Sequence, residues 1–309
     1  MNRFPDNARV CFIGDSMTAA NQVLSRIIHH YNIHFPNHGI TFFNCGTSGG
    51  TCGGALTFFE DDVRPHMPTH AVIAFGINDC GSWHLLKPRG PEKFNALESA
   101  FQRYQNNIRS YVQLLQAHNV HVTLCTPPIY DEYAESTVPA RRGCYSVMAA
   151  YADFICRFAA DNGLGLCDYH KLTEKAVVTD HQPVITEDRI HPTEHGYYLM
   201  AKQFLAAQGL QIDPEAPIPP YLQPWRNAIE RLRVIYSAEE MVIGNYALPT
   251  EQKIAMLQEK LHNPGRNSNP AFEPFIRGFV NEMPNKAALY QLIDRLYETQ
   301  VRNGHRTDK

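Results

Sequence analysis

Two stretches far apart in the chain hold a serine, an aspartate and a histidine, residue types that together can do nucleophilic chemistry. In Val10–Thr18, VCFIGDSMT, an apolar run stops at Gly14-Asp15-Ser16 and a helical pattern begins. A serine at a strand-to-helix turn sits at the carboxyl edge of a parallel sheet, where open α/β folds bind their ligands. The N–H groups that open the following helix suit an oxyanion forming beside the Ser16 hydroxyl. Read alone, GDS fits a helix cap equally well, with Asp15 or Ser16 as the capping residue. The second stretch is Glu187-Asp188-Arg189-Ile190-His191-Pro192, just before a helix opening at Thr193. Asp188 and His191 are three apart. At that spacing the carboxylate can take the imidazole Nδ1–H, fix the tautomer and leave Nε2 as a base for Ser16.

Two more blocks lie between them, each following an apolar run: Asn44-Cys45-Gly46-Thr47-Ser48-Gly49 and Gly76-Ile77-Asn78-Asp79. With all four blocks in this order, the sequence resembles the SGNH (GDSL) hydrolase superfamily. The resemblance implies that Ser16 is the nucleophile and that His191 is the base, supported by Asp188. It also implies that the oxyanion is held by the backbone N–H groups of Ser16 and Gly49 and by the side chain of Asn78, with no cofactor or metal. Asp188-Arg189-Ile190-His191-Pro192, Arg141-Arg142 and Thr126-Pro127-Pro128 look most like intracellular acetyl-xylan and related carbohydrate acetyl esterases. The expected substrate is a small-molecule or oligosaccharide ester. A thioesterase, a short-chain lipase or an acyltransferase are alternatives within the superfamily, and a non-catalytic binding module is the alternative outside it. Asp15, Trp83 and Arg141 are expected to touch substrate, within a polar rim that also includes Thr18, Asn21, Thr47, Thr51, His84 and Arg142. A rim of this kind favours hydroxyl-bearing leaving groups and short acyl chains.

The elements that must position these residues follow from hydrophobic periodicity. Ala71–Phe75 is a near-continuous apolar run, as in a parallel strand buried on both faces, and it delivers Asn78 to the same edge as Ser16. Further strands are expected at Ile40–Asn44, Val120–Thr126 and Leu164–Tyr169. Phe94, Leu97, Phe101, Tyr104, Ile108, Tyr111 and Leu115 step by three and four, the apolar stripe of a long helix. Alternating strands and helices with right-handed crossovers make a five-stranded parallel sheet between helical layers. The resemblance adds a flavodoxin-like strand order. Five glycines lie in Gly46–Gly54 without the spacing of a phosphate cradle. Close backbone approach to the oxyanion accounts for them better.

Residues 1–210 are read as the hydrolase domain, 211–224 as a proline-rich connector and 225–309 as an α-helical extension that the family resemblance does not cover. The amphipathic helices of the extension can bury their faces on one another, on the hydrolase or across a homo-oligomer, and the tail after Arg302 is expected to be disordered. A formal charge of −3 with scattered Lys and Arg gives no basic field for nucleic acid or an anionic membrane. The amino terminus has no apolar leader and no apolar run is long enough to span a bilayer, so a cytoplasmic protein is expected. The eight cysteines contain no CxxC pair and several sit in apolar runs. They are read as packed free thiols, including Cys45 and Cys80 beside the catalytic blocks. His191 and His195 are four apart, but Pro192 interrupts the turn they would share and no third metal ligand is suitably spaced.

Overall fold

The apolar runs become five parallel strands, β1 (Arg9–Gly14), β2 (Thr41–Gly46), β3 (His70–Ala74), β4 (His121–Cys125) and β5 (Gly165–Cys167), in the flavodoxin-like order β2-β1-β3-β4-β5. The structure is a computed structural model and describes residues 1–86, 90–211, 217–244, 248–262 and 269–302, apart from the side chains of Trp83 and Pro91. The tail after residue 302 and part of the expected connector lie outside the described residues.

The register decides where chemistry can occur. Gly14 lies beside Gly46 on one side and Ala74 on the other, and Ala74 lies beside Cys125. The strands therefore end together, and the loops leaving β1, β2 and β3 emerge side by side at one edge.

Helices α1 (Ser16–Ala19) and α2 (Gln22–His34) follow β1, and α3 (Cys52–Thr57) follows β2. After β3, β4 and β5 come α4 (Pro91–Ala117), α5 (Cys144–Asp161), then α6 (Tyr169–Glu174) and α7 (Glu194–Ala207). Because side chains alternate between faces along a strand, Phe12 meets Phe204 of α7 and Phe42 meets Tyr31 of α2, each pair with ring centroids 5.5 Å apart. On the other face α3 packs on α4, and α4 and α5 pack on β4. The stripe of α4 begins later than its periodicity suggests: Tyr104, Ile108, Tyr111 and Leu115 are buried, whereas Phe94 is 62% exposed. The turn after Ser16 also differs from a single continuous helix. Asn21, at φ 58°, separates the short α1 from α2.

The extension consists of α8 (Gln223–Ala238), α9 (Thr250–His262), α10 (Glu273–Glu282) and α11 (Lys286–Leu296). Its helices pack on one another and on the β2 edge of the sheet, so that one apolar core runs without interruption from Phe4 to Val301. Edge strand β2 would otherwise present unpaired backbone groups. Here the Tyr297 hydroxyl accepts the Phe42 N–H at 3.1 Å and donates to the Ile40 carbonyl at 3.3 Å. Arg233 of α8 makes a two-pronged pair with Asp62, 2.6 Å at each contact, and both side chains are 3% exposed. No described helix is long and apolar enough to cross a membrane.

Removing one partner of a buried ion pair leaves the other charge uncompensated. Arg233→Ala should therefore lower unfolding free energy by about 3–5 kcal/mol, measured by urea denaturation of the full chain. A change within about 0.5 kcal/mol, the usual range for a surface substitution, would mean that the pair does not anchor the extension.

Candidate active site

β1 leaves the sheet at Gly14, and Asp15 then caps α1 by accepting the Met17 N–H at 3.0 Å. Ser16 is thereby fixed as the first residue of one helical turn. The turn sits tightly on the strand ends: a Cβ on Gly46 would fall 2.3 Å from the Ala19 nitrogen. Because α1 has a single turn, the polarity near Ser16 comes from its unpaired first N–H groups rather than from a long macrodipole.

On the opposite side, the segment before α7 folds back through paired backbone between Ile185 and Pro192. The Arg189 N–H donates to the Thr186 carbonyl at 2.9 Å, and Arg189 itself stands at φ 70°. This turn brings Asp188 and His191 together. His191 Nε2 lies 2.7 Å from Ser16 Oγ, and His191 Nδ1 lies 2.5 Å from Asp188 Oδ2. Asp188 Oδ1 accepts from the Ile190 and His191 N–H groups, each at 2.9 Å, and from the Thr186 hydroxyl at 2.8 Å. Burial opposes the charge on Asp188, but the hydrogen bonds from His191, Ile190 and Thr186 outweigh it and hold the carboxyl at about 2. A hydroxyl, an imidazole and an ionised carboxylate are thus linked in a line that can take a proton from oxygen.

The loop after β2 reaches the same place. The Thr47 N–H donates to the Gly14 carbonyl at 2.9 Å, and Gly49 adopts φ +73°, a conformation that side chains rarely take. From the loop after β3, Asn78 Nδ2 donates to the Gly50 carbonyl at 3.0 Å. One amide hydrogen of Asn78 is used in this way, which fixes the plane of the group while the other remains for a ligand. The Cys52 N–H donates to Asp79 Oδ1 at 2.9 Å.

The GDSL-like lipase/acylhydrolase family profile matches residues 12–199, a span that contains all of these side chains. The chain belongs to that family. An acetylxylan esterase from Geobacillus stearothermophilus is 25% identical over 218 residues, 66% of this chain and 94% of that protein. A solved structure of an acetylxylan esterase from the same organism has a TM-score of 0.56 at 20% identity, over 68% of this chain and 99% of the other. The structure of a gut microbial diltiazem-metabolizing enzyme has a TM-score of 0.75 at 15% identity, over 98% of this chain and 96% of the other. The fold likeness to that enzyme therefore extends through the C-terminal helices.

In this GDSL-like chain, Ser16, Asp188, His191, Gly49 and Asn78 converge on one edge, while the residues expected to touch substrate behave differently. Asp15 is 3% exposed and caps α1 beneath Ser16, so it supports the turn and does not face the cleft. Arg141 donates to the Ser82 hydroxyl at 2.5 Å, and its backbone N–H donates to Tyr130 Oη at 3.0 Å, so it ties two loops together. The Trp83 side chain lies outside the described residues. Of the expected polar rim, Asn21 and Thr47 are buried and Thr51 is engaged by Glu240. Burial and a distant partner thus remove Asn21, Thr47 and Thr51 from an open rim, which a residue count cannot reveal.

Sequence reasoning missed Arg189 as a support of the triad. Its buried guanidinium donates to the carbonyls of Asp131, Ala134 and Val138 at 3.1, 2.8 and 2.8 Å, fastening the His191 turn to the loop after β4. Its position between Asp188 and His191 was the only available signal. Cys45, Asp62 and His66 place three donor atoms within 4.8 Å of one another. Both Asp62 oxygens already face the Arg233 guanidinium, and burial pushes the Cys45 thiol well up, so this donor set is poorly suited to a cation.

Asp15 and Asp79 have raised pKa values. Burial raises Asp15 to about 6 against the Met17 N–H, and a cavity of about 40 Å³ with largely apolar walls lies beside it. Burial raises Asp79 to about 7 against the Cys52 N–H, with the nearby Asp15 charge adding to the rise. The folded protein therefore retains protons that the unfolded chain releases near the ordinary value of about 4. It follows that their contribution to stability is largest below about pH 4 and declines as pH rises through about 6 and 7. Asp79→Asn should flatten the upper part of this decline. Urea midpoints of the parent and the variant between pH 4 and 8 check it; identical slopes would contradict the assignment.

Proposed function

We propose that the protein is a serine esterase that removes short acyl groups, foremost acetyl, from carbohydrate. The single observation carrying the chemistry is the Ser16–His191–Asp188 line, with 2.7 Å between the hydroxyl and the free imidazole nitrogen. The acetylxylan esterase relative, matched over 94% of its length, supports the acyl group and the substrate class.

In this reading His191 Nε2 takes the Ser16 proton as the hydroxyl oxygen attacks the ester carbonyl. The charge that moves onto the carbonyl oxygen is met by the backbone N–H groups of Ser16 and Gly49 and by Asn78 Nδ2. His191, held by Asp188, then protonates the departing sugar oxygen as its bond to the acyl carbon breaks, freeing the sugar hydroxyl and leaving the acyl group on Ser16. Water, deprotonated by the same imidazole, releases acetate from the acyl-enzyme and returns the proton to Ser16. Because Asp188 is held at about 2, it stays ionised and stabilises the imidazolium at each turn of the cycle.

Ser16→Ala should abolish turnover of an aryl acetate. Asn78→Ala should lower kcat by about 10²–10³ with little change in KM, since its amide binds charge that develops only in the transition state. Steady-state kinetics distinguish this from a turn-forming role, in which kcat would persist. Across an acyl series, kcat/KM should fall steeply from acetyl to butyryl to octanoyl, and acetylated xylo-oligosaccharides should lose acetate. Rates that climb with chain length would indicate a lipase, and a strong preference for acyl thioesters would indicate a thioesterase.

A further inference from the structure

The loop that presents Gly49 is held from both sides, and the C-terminal helices supply one of them. From the sheet side, Asn78 takes the Gly50 carbonyl and Asp79 takes the Cys52 N–H. From α8 and the turn that continues it, Ser237 Oγ accepts the Ser48 N–H at 2.9 Å. Glu240 Oε1 accepts the Thr51 N–H at 3.2 Å and the Thr51 hydroxyl at 2.9 Å. Thr51 Oγ1 in turn accepts the Gly54 N–H at 3.0 Å and caps α3. The anchors at 48 and 51 thus flank Gly49, and its peptide is oriented by contacts on either side.

The fit around these contacts is close. A Cβ on Gly49 would fall 2.4 Å from Met241 Cγ, and one on Gly54 would fall 2.2 Å from Glu240 Oε2. Ser237 is itself fixed, donating to the carbonyl of Arg233 at 2.8 Å, the residue whose guanidinium pairs with Asp62. A carboxylate and a hydroxyl from outside the family-matched span, residues 12–199, therefore hydrogen-bond the loop that carries Gly49.

We propose that Glu240 and Ser237 are positioning residues for catalysis, and that the C-terminal helices form part of the machinery that aims the Gly49 N–H at the oxyanion. This rests on the esterase reading above. A group acting in this way alters transition-state stabilisation while leaving ground-state binding nearly untouched. Displacing a catalytic donor by about 1 Å can cost about a hundredfold.

The test uses full-length Glu240→Ala, Glu240→Gln, Ser237→Ala and Ser16→Ala. It measures kcat and KM for an aryl acetate, the rate at which a fluorophosphonate labels Ser16, and the melting temperature. Glu240→Ala should lower kcat by about 10- to 100-fold with KM within about twofold, and labelling should slow in parallel. Glu240→Gln keeps a carbonyl oxygen for both Thr51 donors and should recover most of the loss. A folded Glu240→Ala with parental kcat and labelling overturns the proposal. So does a loss that Glu240→Gln fails to recover and that follows melting temperature alone. If Glu240→Ala does not fold, Ser237→Ala decides: a kcat-selective loss supports the proposal and parental kcat overturns it. Activity surviving in Ser16→Ala would overturn the esterase reading itself, whereas an inactive Ser16→Ala beside an unimpaired Glu240→Ala defeats only the positioning role.

Discussion

A peptide group leaving a β-sheet still needs a hydrogen-bond partner, and burying one without a partner costs about 1–3 kcal/mol. The edge of the sheet that carries Ser16 is organised by that constraint. Strands β1, β2 and β3 stop in register, so their loops crowd together with backbone donors and acceptors that the ladder no longer satisfies. The solutions are local and specific: Gly14 C=O takes the Thr47 N–H, and Gly50 C=O takes the Asn78 amide. Asp15, Asp79, Ser237 and Glu240 accept donors from Met17, Cys52, Ser48 and Thr51. Fixing the loops in this way is also what preorganises a site, because donors already aimed at a developing charge need not reorganise during reaction.

The same need for partners divides the carboxylates by role. Asp188 sits at the mouth of the cleft with four donors around its oxygens and stays charged. Asp15 and Asp79 lie deeper with fewer donors, and Asp79 Oδ2 is buried without a partner. Burial then favours their neutral forms. The carboxylate paired with His191 is solvated by the protein, while those that shape loops become neutral below about pH 6–7.

Much of this was legible in the sequence because it depends on local patterns. Apolar runs ending in Gly-Asp-Ser or Gly-Ile-Asn-Asp mark strands and the loops that follow them, and the three-residue step from Asp188 to His191 sets their contact within one turn. What could not be read depends on contacts between distant segments. Asp15 has the same composition whether it caps a helix or meets a sugar. Arg141 and Thr51 look like rim residues until Ser82 and Glu240, far away in sequence, are found to engage them. Phe94 continues the stripe of α4, yet its ring is exposed. The helices of the extension were visible as amphipathic patterns, but periodicity reveals that a face needs burial without naming the surface that buries it.

That surface explains why the extension has consequences beyond its own stability. The acetylxylan esterase relative aligns over 94% of its length with 66% of this chain, so about a third of this chain lies outside that match. In this chain the β2 edge is closed by Tyr297, and the polar groups of the loop after β2 are satisfied by α8 and its continuation. An element that initially serves to cover an edge strand lies directly beside the loop that leaves that strand. α8 is seated on Asp62 through Arg233, and it and its continuation reach the loop that carries Gly49 through Ser237 and Glu240. Edge protection and the anchoring of the loop after β2 are therefore one structural arrangement, built by the same helices of the extension.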